Sequence, residues 1–278
     1  MINDPFKHVP GLERINLTIV DPSDKMRLLN TKFPSALTKH PLSGRPDTGS
    51  VLPDLADLLV HLTTGPAPEH VYQLFPKPFS EYVRIFPRIQ FVNHKELHIS
   101  RWDQLIQDVG IELSPATSAV NQLLKAINNA FRARNQNTRV GYSSQGGFQG
   151  LCIGTLDPLT TAALSHVLQQ VHPHPRQTYF VFRGNSALGP DSILAYRGGA
   201  ALFAQLCPDQ SSSLETPAMW WAEDWRWCLT MTQDAPTAYL GGSSEVIHAI
   251  LNDTSIEAYK VSHTDIVDAI FNIDNEDI

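Results

Sequence analysis

Apolar residues recur along this chain at two periods, three to four residues in some stretches and two in others, and the alternation between those periods predicts the element order. Leu55, Leu58, Leu59 and Leu62 share one face of a helix that opens at Leu52-Pro53-Asp54 and is expected to cover a sheet. His70 to Phe75 and Tyr82 to Phe86 have the aromatic and β-branched content of short strands, joined by the proline-containing PKPFSE. Two helices follow. The first starts at Ser100, a good N-cap, carries Trp102, Leu105, Ile106 and Val109, and ends at Gly110; the second runs from about Pro115 to Phe131. Asp157-Pro158 opens another, to about Val171, because Asp accepts from free backbone N–H groups and Pro fits the first turn. HPHPRQ ends it before a strand at Thr178–Arg183, and Ser192 to Tyr196 is expected to be a further strand.

The clearest period of two comes late. Trp225, Trp227, Leu229 and Met231 point one way, and Arg226, Cys228, Thr230 and Thr232 the other, which predicts a strand with one aromatic face. Ala238 to Leu240 supplies a second strand and Gly241-Gly242 a turn. Ser243 or Ser244 then caps a helix with Val246, Ile247, Ile250 and Leu251 apolar, and Ile256 to Val261 returns as a strand.

Punctuation divides the chain. Residues 1–50 hold six prolines around the single strand-like run LERINLTIV and read as an irregular N-terminal arm. Residues 133–150, ARNQNTRVGYSSQGGFQG, lack apolar periodicity and read as a linker or long loop. The expected fold is α+β, with two α/β-type halves at 51–132 and 151–278, each a small mixed or antiparallel sheet packed by helices, the second ending in an acidic tail.

Composition narrows the functional classes. At 42% apolar and 18% charged residues over 278 positions the chain resembles an ordinary globular protein. No run approaches the roughly 18 apolar residues of a membrane helix, and MINDPFKHVP lacks the basic and apolar regions of a signal peptide, so the expected location is the cytoplasm. Cys152, Cys207 and Cys228 form no CxxC pair and read as buried thiols. Charge is uneven. Residues 1–140 hold 16 Lys and Arg against 13 Asp and Glu, a balance of +3, whereas residues 141–278 hold 5 against 15, a balance of -10. An acidic half repels phosphate backbones, which argues against nucleic acid and for a basic protein partner; solubility alone is the plain alternative.

Trp220, Trp221, Glu223, Asp224, Trp225 and Trp227 crowd aromatic surface and carboxylates into eight positions. Such a run anchors a partner or grips a cation, or else it packs tryptophans in a core while the acidic pair makes a turn. Gly241, Gly242 and Ser243, with Ser244, precede a helix whose free N–H groups would hold an anion, but the P-loop lysine is missing, and a tight turn with an N-cap explains the same letters. His94, Glu96 and His98, and His172 with His174, have metal-compatible spacing without a full ligand set, so no metal and no cofactor is expected. Cys228 with His263 or His248, and Ser143 or Ser144 without a GxSxG elbow, permit nucleophilic chemistry without specifying it.

The segment MWWAEDWRWCLTMTQDAPTAYLGGSSEVIHAIL followed by IEAYKV resembles a family of bacterial proteins, mainly actinobacterial, that share a WWxxDxxWC…YxGGS motif and have no established activity. EYVRIFP at 81–87, RWDQLIQDVGIELSP at 101–115 and TYFVFRG at 178–184 match in the same order, so the resemblance spans roughly residues 50 to 270. This chain departs from the family at Trp225, where a small or charged residue is usual, and at Arg183, where the equivalent strand often carries a tryptophan. The resemblance supplies no catalytic residues.

The sequence thus leads to a non-enzymatic interaction protein, immunity- or inhibitor-like, that presents its acidic and aromatic C-terminal half to a partner. Its rival is a hydrolase-like or small-ligand enzyme with Arg183, Asp224 and the Gly241–Ser244 turn converging in a cleft between the halves.

Overall fold

The protein is described by a computed structural model over Pro10 and residues 12–15, 69–93, 96–134, 138, 140, 142–143, 151–152, 156–173, 178–183, 193–206, 217–231 and 236–267. All belong to one compact unit built from residues 1–15 and 69–278; residues 16–68 are assigned to a second unit and lie outside the described residues, as does the helix expected at 52–62.

The fold is α+β. Its strands are β1 (Glu13–Ile15), β2 (Glu81–Phe86), β3 (Ile89–Asn93), β4 (Glu96–Ser100), β5 (Tyr142–Ser143), β6 (Leu151–Cys152), β7 (Thr178–Arg183), β8 (Ile193–Gly198), β9 (Met219–Ala222), β10 (Trp227–Met231), β11 (Ala238–Gly242) and β12 (Glu257–Val261). Its helices are α1 (Trp102–Val109), α2 (Val120–Ala133), α3 (Pro158–Val171), α4 (Phe203–Leu206) and α5 (Ser244–Asn252). Among the described residues eight strands form one sheet in the order β1-β8-β7-β9-β10-β11-β2-β12, and every neighbouring pair is antiparallel. β3 and β4 form a separate antiparallel hairpin, and β5 and β6 a short parallel pair.

This topology corrects the expected division into halves. β2, from the N-terminal side of the 133–150 stretch, lies between β11 and β12 from its C-terminal side, so one sheet crosses the proposed boundary. Within the expected linker, Thr138 and Val140 are buried, and the Val140 backbone is bonded at both N–H and C=O by the Asn128 side chain. The linker's polar, glycine-rich sequence does not show this. It carries no information about which strands pair across it.

One sheet face is packed by α3 and α5. Val83 and Ile85 of β2, Phe180 and Phe182 of β7, Trp220 of β9, Leu229 of β10 and Leu240 of β11 meet Leu164 and Leu168 of α3 and Val246, Ile247 and Ile250 of α5 in a single core. A second core joins Phe86, Ile89 and Phe91 to Trp102, Leu105 and Ile106 of α1 and Leu123, Leu124 and Ile127 of α2.

Local chemistry accounts for the helix ends. Asp157 caps α3, its Oδ1 accepting from Leu159 N and Thr160 N at 3.0 Å each, with Pro158 in the first turn. Gly110 ends α1 in the left-handed region at φ 71. Two expectations change. His70–Phe75 is a single 3-10 turn over Val71–Leu74 instead of a strand, because Val71 and Leu74, three apart, are both buried, and three-residue spacing matches that helix. Gly241-Gly242 completes strand β11 instead of turning, and the chain bends only at Ser243.

Candidate functional site

The face of the sheet opposite α3 and α5 carries, at one end, a row of side chains fixed by register. Arg197 of β8 is opposite Tyr179 of β7, which is opposite Trp221 of β9, then Cys228 of β10, Gly241 of β11 and Tyr82 of β2. Cross-strand neighbours lie about 5 Å apart. Tyr179 and Trp221 stack accordingly, with ring centroids 5.3 Å apart and planes within 15°.

The hairpin between β9 and β10 adds the third ring. Trp225 sits there with φ 58, a left-handed conformation that a bulky side chain adopts only where the surroundings hold it. Its N–H donates to Ala222 O at 2.8 Å, and its ring stacks on Trp221 at 5.5 Å and 18°. The alternation expected from Trp225 through Met231 therefore begins at Trp227. Trp225 belongs to the turn and remains half-buried.

Each end of this three-ring stack meets a cation. At the Tyr179 end the Arg197 guanidinium lies 5.6 Å from the ring centroid and donates from one nitrogen to both Glu223 oxygens at 2.7 Å, and Tyr179 Oη donates to Glu223 Oε1 at 3.2 Å. The bonds to Glu223 raise the Arg197 pKa further, and burial raises that of Tyr179. At the Trp225 end Lys77 Nζ stands 5.0 Å from the Trp225 ring centroid and 5.9 Å from that of Phe79. Burial lowers the Lys77 pKa while Asp224 opposes that shift. Cys228 lies near the same lysine but is itself fully buried, and burial pushes its thiol far up, so at neutral pH it is an uncharged thiol that contributes no anion. Asp224 is exposed and pairs with Arg226 at 2.8 Å.

The glycine of the row has a steric role. A Cβ on Gly241 would stand 2.6 Å from Phe79 Cδ2 and 3.0 Å from Tyr82 Cε1, so the bare backbone is what lets Phe79 close over the sheet. Phe79 is fixed in turn by its N–H, which donates to Tyr82 Oη at 2.8 Å.

The sequence-derived candidates separate on this frame. Trp221, Glu223, Asp224, Gly241, Gly242 and Ser243 come together at one sheet end, where Ser243 N donates to Arg226 O at 2.9 Å and Ser80 Oγ to Gly242 O at 2.8 Å. Trp220 does not join them. It faces the helix side, fully buried against Phe203 and Phe180, and Trp221 is buried as well, so neither is an exposed anchor. Gly241–Ser243 offers no open anion loop, because the glycines are in β11 and Ser243 Oγ accepts from Val246 N to cap α5. Arg183 lies at the far end of β7, five residues from Thr178, which pairs with Ala222; at about 3.3 Å per residue it is roughly 16 Å along the strand from the acidic turn. The Arg183 backbone thus lies away from the sheet end that holds Asp224 and the glycines.

The thiol constellation disperses, and the histidine groups fall only in part within the described residues. His98 stacks on Phe91 at 5.3 Å, His172 is buried at the end of α3, and His94 and His174 lie outside the described residues. Among the described residues no group of three His, Cys, Asp or Glu side chains is placed to hold a metal ion. Cys228 is buried in the sheet, whereas His248 and His263 are exposed. Among the described residues no helix is long and apolar enough to cross a membrane.

Four contributors were not singled out in the sequence: Lys77, Phe79, Tyr179 and Arg197. The run KPF at 77–79 does place a cation two residues from an aromatic ring in a proline-stiffened loop. Tyr179 and Arg197 give no comparable signal, because their role follows only from strand register.

Comparison with known proteins gives no match to any protein-family model, curated protein or solved structure.

Proposed function

We propose that the chain is a non-enzymatic interaction protein, immunity- or inhibitor-like, that receives a basic segment of a protein partner at the acidic turn 223–226. The observation that carries this reading is Trp225, a large aromatic side chain held half-exposed in a left-handed backbone directly after two exposed carboxylates, Glu223 and Asp224. Aromatic side chains anchor partners because they bury much area with few rotatable bonds, and a flanking carboxylate adds preference for cations. Trp221, Asp224, Trp227 and Cys228, together with Gly241 to Ser243, bring the motif that carries the family resemblance to this same end of strands β9 to β11.

Both carboxylates already have cations within the chain, so a basic partner binds by exchange. Exposed ion pairs contribute about 0.2–1 kcal/mol each, which makes the Asp224–Arg226 pair inexpensive to open. Glu223 is held more firmly by its three bonds to Arg197 and Tyr179. Asp224 is therefore the carboxylate offered to the partner, and the net charge of -7 favours its approach.

Hexa-arginine titrated against the protein at low salt, followed by tryptophan fluorescence, tests the reading. Asp224→Asn is expected to weaken binding about two- to fivefold, the range of one exposed charge pair. Glu112→Gln, which removes an equal charge from an exposed position before α2, should leave affinity unchanged. Equal weakening by both substitutions would mean that only overall charge attracts the peptide.

A further inference from the structure

We propose that Lys77 is a placeholder in a seat for a cationic side chain, which the partner's own arginine or lysine occupies on binding. This inference rests on the reading of turn 223–226 as the binding site and specifies what enters it.

The seat has two aromatic walls and an acidic rim. Trp225 and Phe79 present their faces to one ammonium at 5.0 and 5.9 Å, and the negative charge of Asp224 acts on it. Both walls are fixed before anything binds. Trp225 is held by its left-handed backbone and its stack on Trp221, and Phe79 by its bond to Tyr82 and its contact with Gly241. Rigid rings of this kind favour cations because the ring face carries partial negative charge, and a guanidinium also stacks flat upon it.

The two cations on the stack differ in how they are retained. Arg197 is tied to Glu223 by two bonds at 2.7 Å. Lys77, among the described residues, has ring contacts and the field of Asp224 but no hydrogen bond or ion pair. It is also an exposed residue on a loop stiffened by Pro76 and Pro78, so its side chain can swing into water while the walls stay in place. Arg197 is a fixture of the stack. Lys77 is its exchangeable end.

Reductive 13C-dimethylation of the lysines keeps their charge and gives each an NMR signal, with that of Lys77 assigned by its loss in Lys77→Arg. The ring currents of Trp225 and Phe79 are expected to shift this signal upfield of the other lysines. Saturating hexa-arginine should return it to the position of a solvated lysine. Lys77→Ala should tighten hexa-arginine binding about two- to fivefold, as removal of one exposed cation–π competitor requires. Arg132→Gln, an equal charge change on α2, should leave affinity unaltered. If hexa-arginine quenches tryptophan fluorescence through Asp224 while the Lys77 signal stays upfield, the placeholder is refuted and the turn remains the binding site. If hexa-arginine does not bind at low salt, the turn reading itself fails, and the placeholder with it.

Discussion

Gly241 shows how one absent side chain sets the geometry of the row. Its missing Cβ admits the Phe79 ring, which in turn forms a wall against Lys77. Gly241→Ala forces a contact of 2.6 Å with a ring pinned between Phe75 and Tyr82, and overpacking of this type costs about 1–3 kcal/mol. Urea denaturation should show that loss, and an unchanged midpoint would mean that Phe79 yields freely. The sequence displayed the glycine pair but not its purpose. Gly-Gly before a helix signals either a turn or a close approach, and the approaching residue, Phe79, lies more than 160 positions away in the chain. Adjacent residues raise a similar ambiguity: Trp220 and Trp221 share a motif, yet the period of two sends one to the helix side and the other to the opposite face.

Elements whose ends are closed by near neighbours were legible, and those closed from afar were not. α3 begins where Asp157-Pro158 says it should. α1 was expected to be capped by Ser100, yet its N-cap is Arg101 without a side-chain cap, and the free donors of Trp102 and Asp103 are taken at 2.7 and 2.9 Å by Glu257 of β12, 155 and 154 positions away. Glu257 thereby joins the helix to the sheet edge and carries a pKa raised by burial, which outweighs its bonds from the Asp103 and Trp102 N–H groups. A carboxyl group whose pKa is higher folded than unfolded binds protons more tightly in the folded state. Its stabilising contribution is full below the unfolded value and declines as pH rises through the folded one. Measured against Glu257→Gln, a neutral isostere, the wild type should lose relative stability from about pH 4 upward. A relative gain over that interval would show that the helix N–H bonds dominate the buried charge.

On the scale of the whole molecule, the sheet binds distant parts of the chain into one body. The strands β2, β7, β10, β11 and β12 were each visible as apolar or aromatic runs close to their observed limits, because periodicity is a local property. Their order was not visible. Nothing within EYVRIF indicates that it slots between residues 238–242 and 257–261, and the polar stretch at 133–150 suggested a boundary where the sheet is continuous. The same limit applied to the site. The acidic and aromatic turn could be read from MWWAEDWRW, whereas the cations at the two ends of its ring stack required the strand order and the fold of the 75–80 loop. The left-handed Trp225 is the proposed anchor of the turn, and substitution by glycine isolates that role. Glycine adopts φ near +60 without penalty, relieving about 1–3 kcal/mol of backbone strain against a lost stack of about 0.5–1.5 kcal/mol and the added chain entropy of glycine, so stability should stay within about 1 kcal/mol of wild type. Isothermal titration of hexa-arginine into Trp225→Gly, on protein whose urea midpoint has been confirmed, is the most direct measurement: the account predicts at least roughly a tenfold loss of affinity, as expected for an aromatic anchor, and wild-type affinity in the folded variant would contradict it.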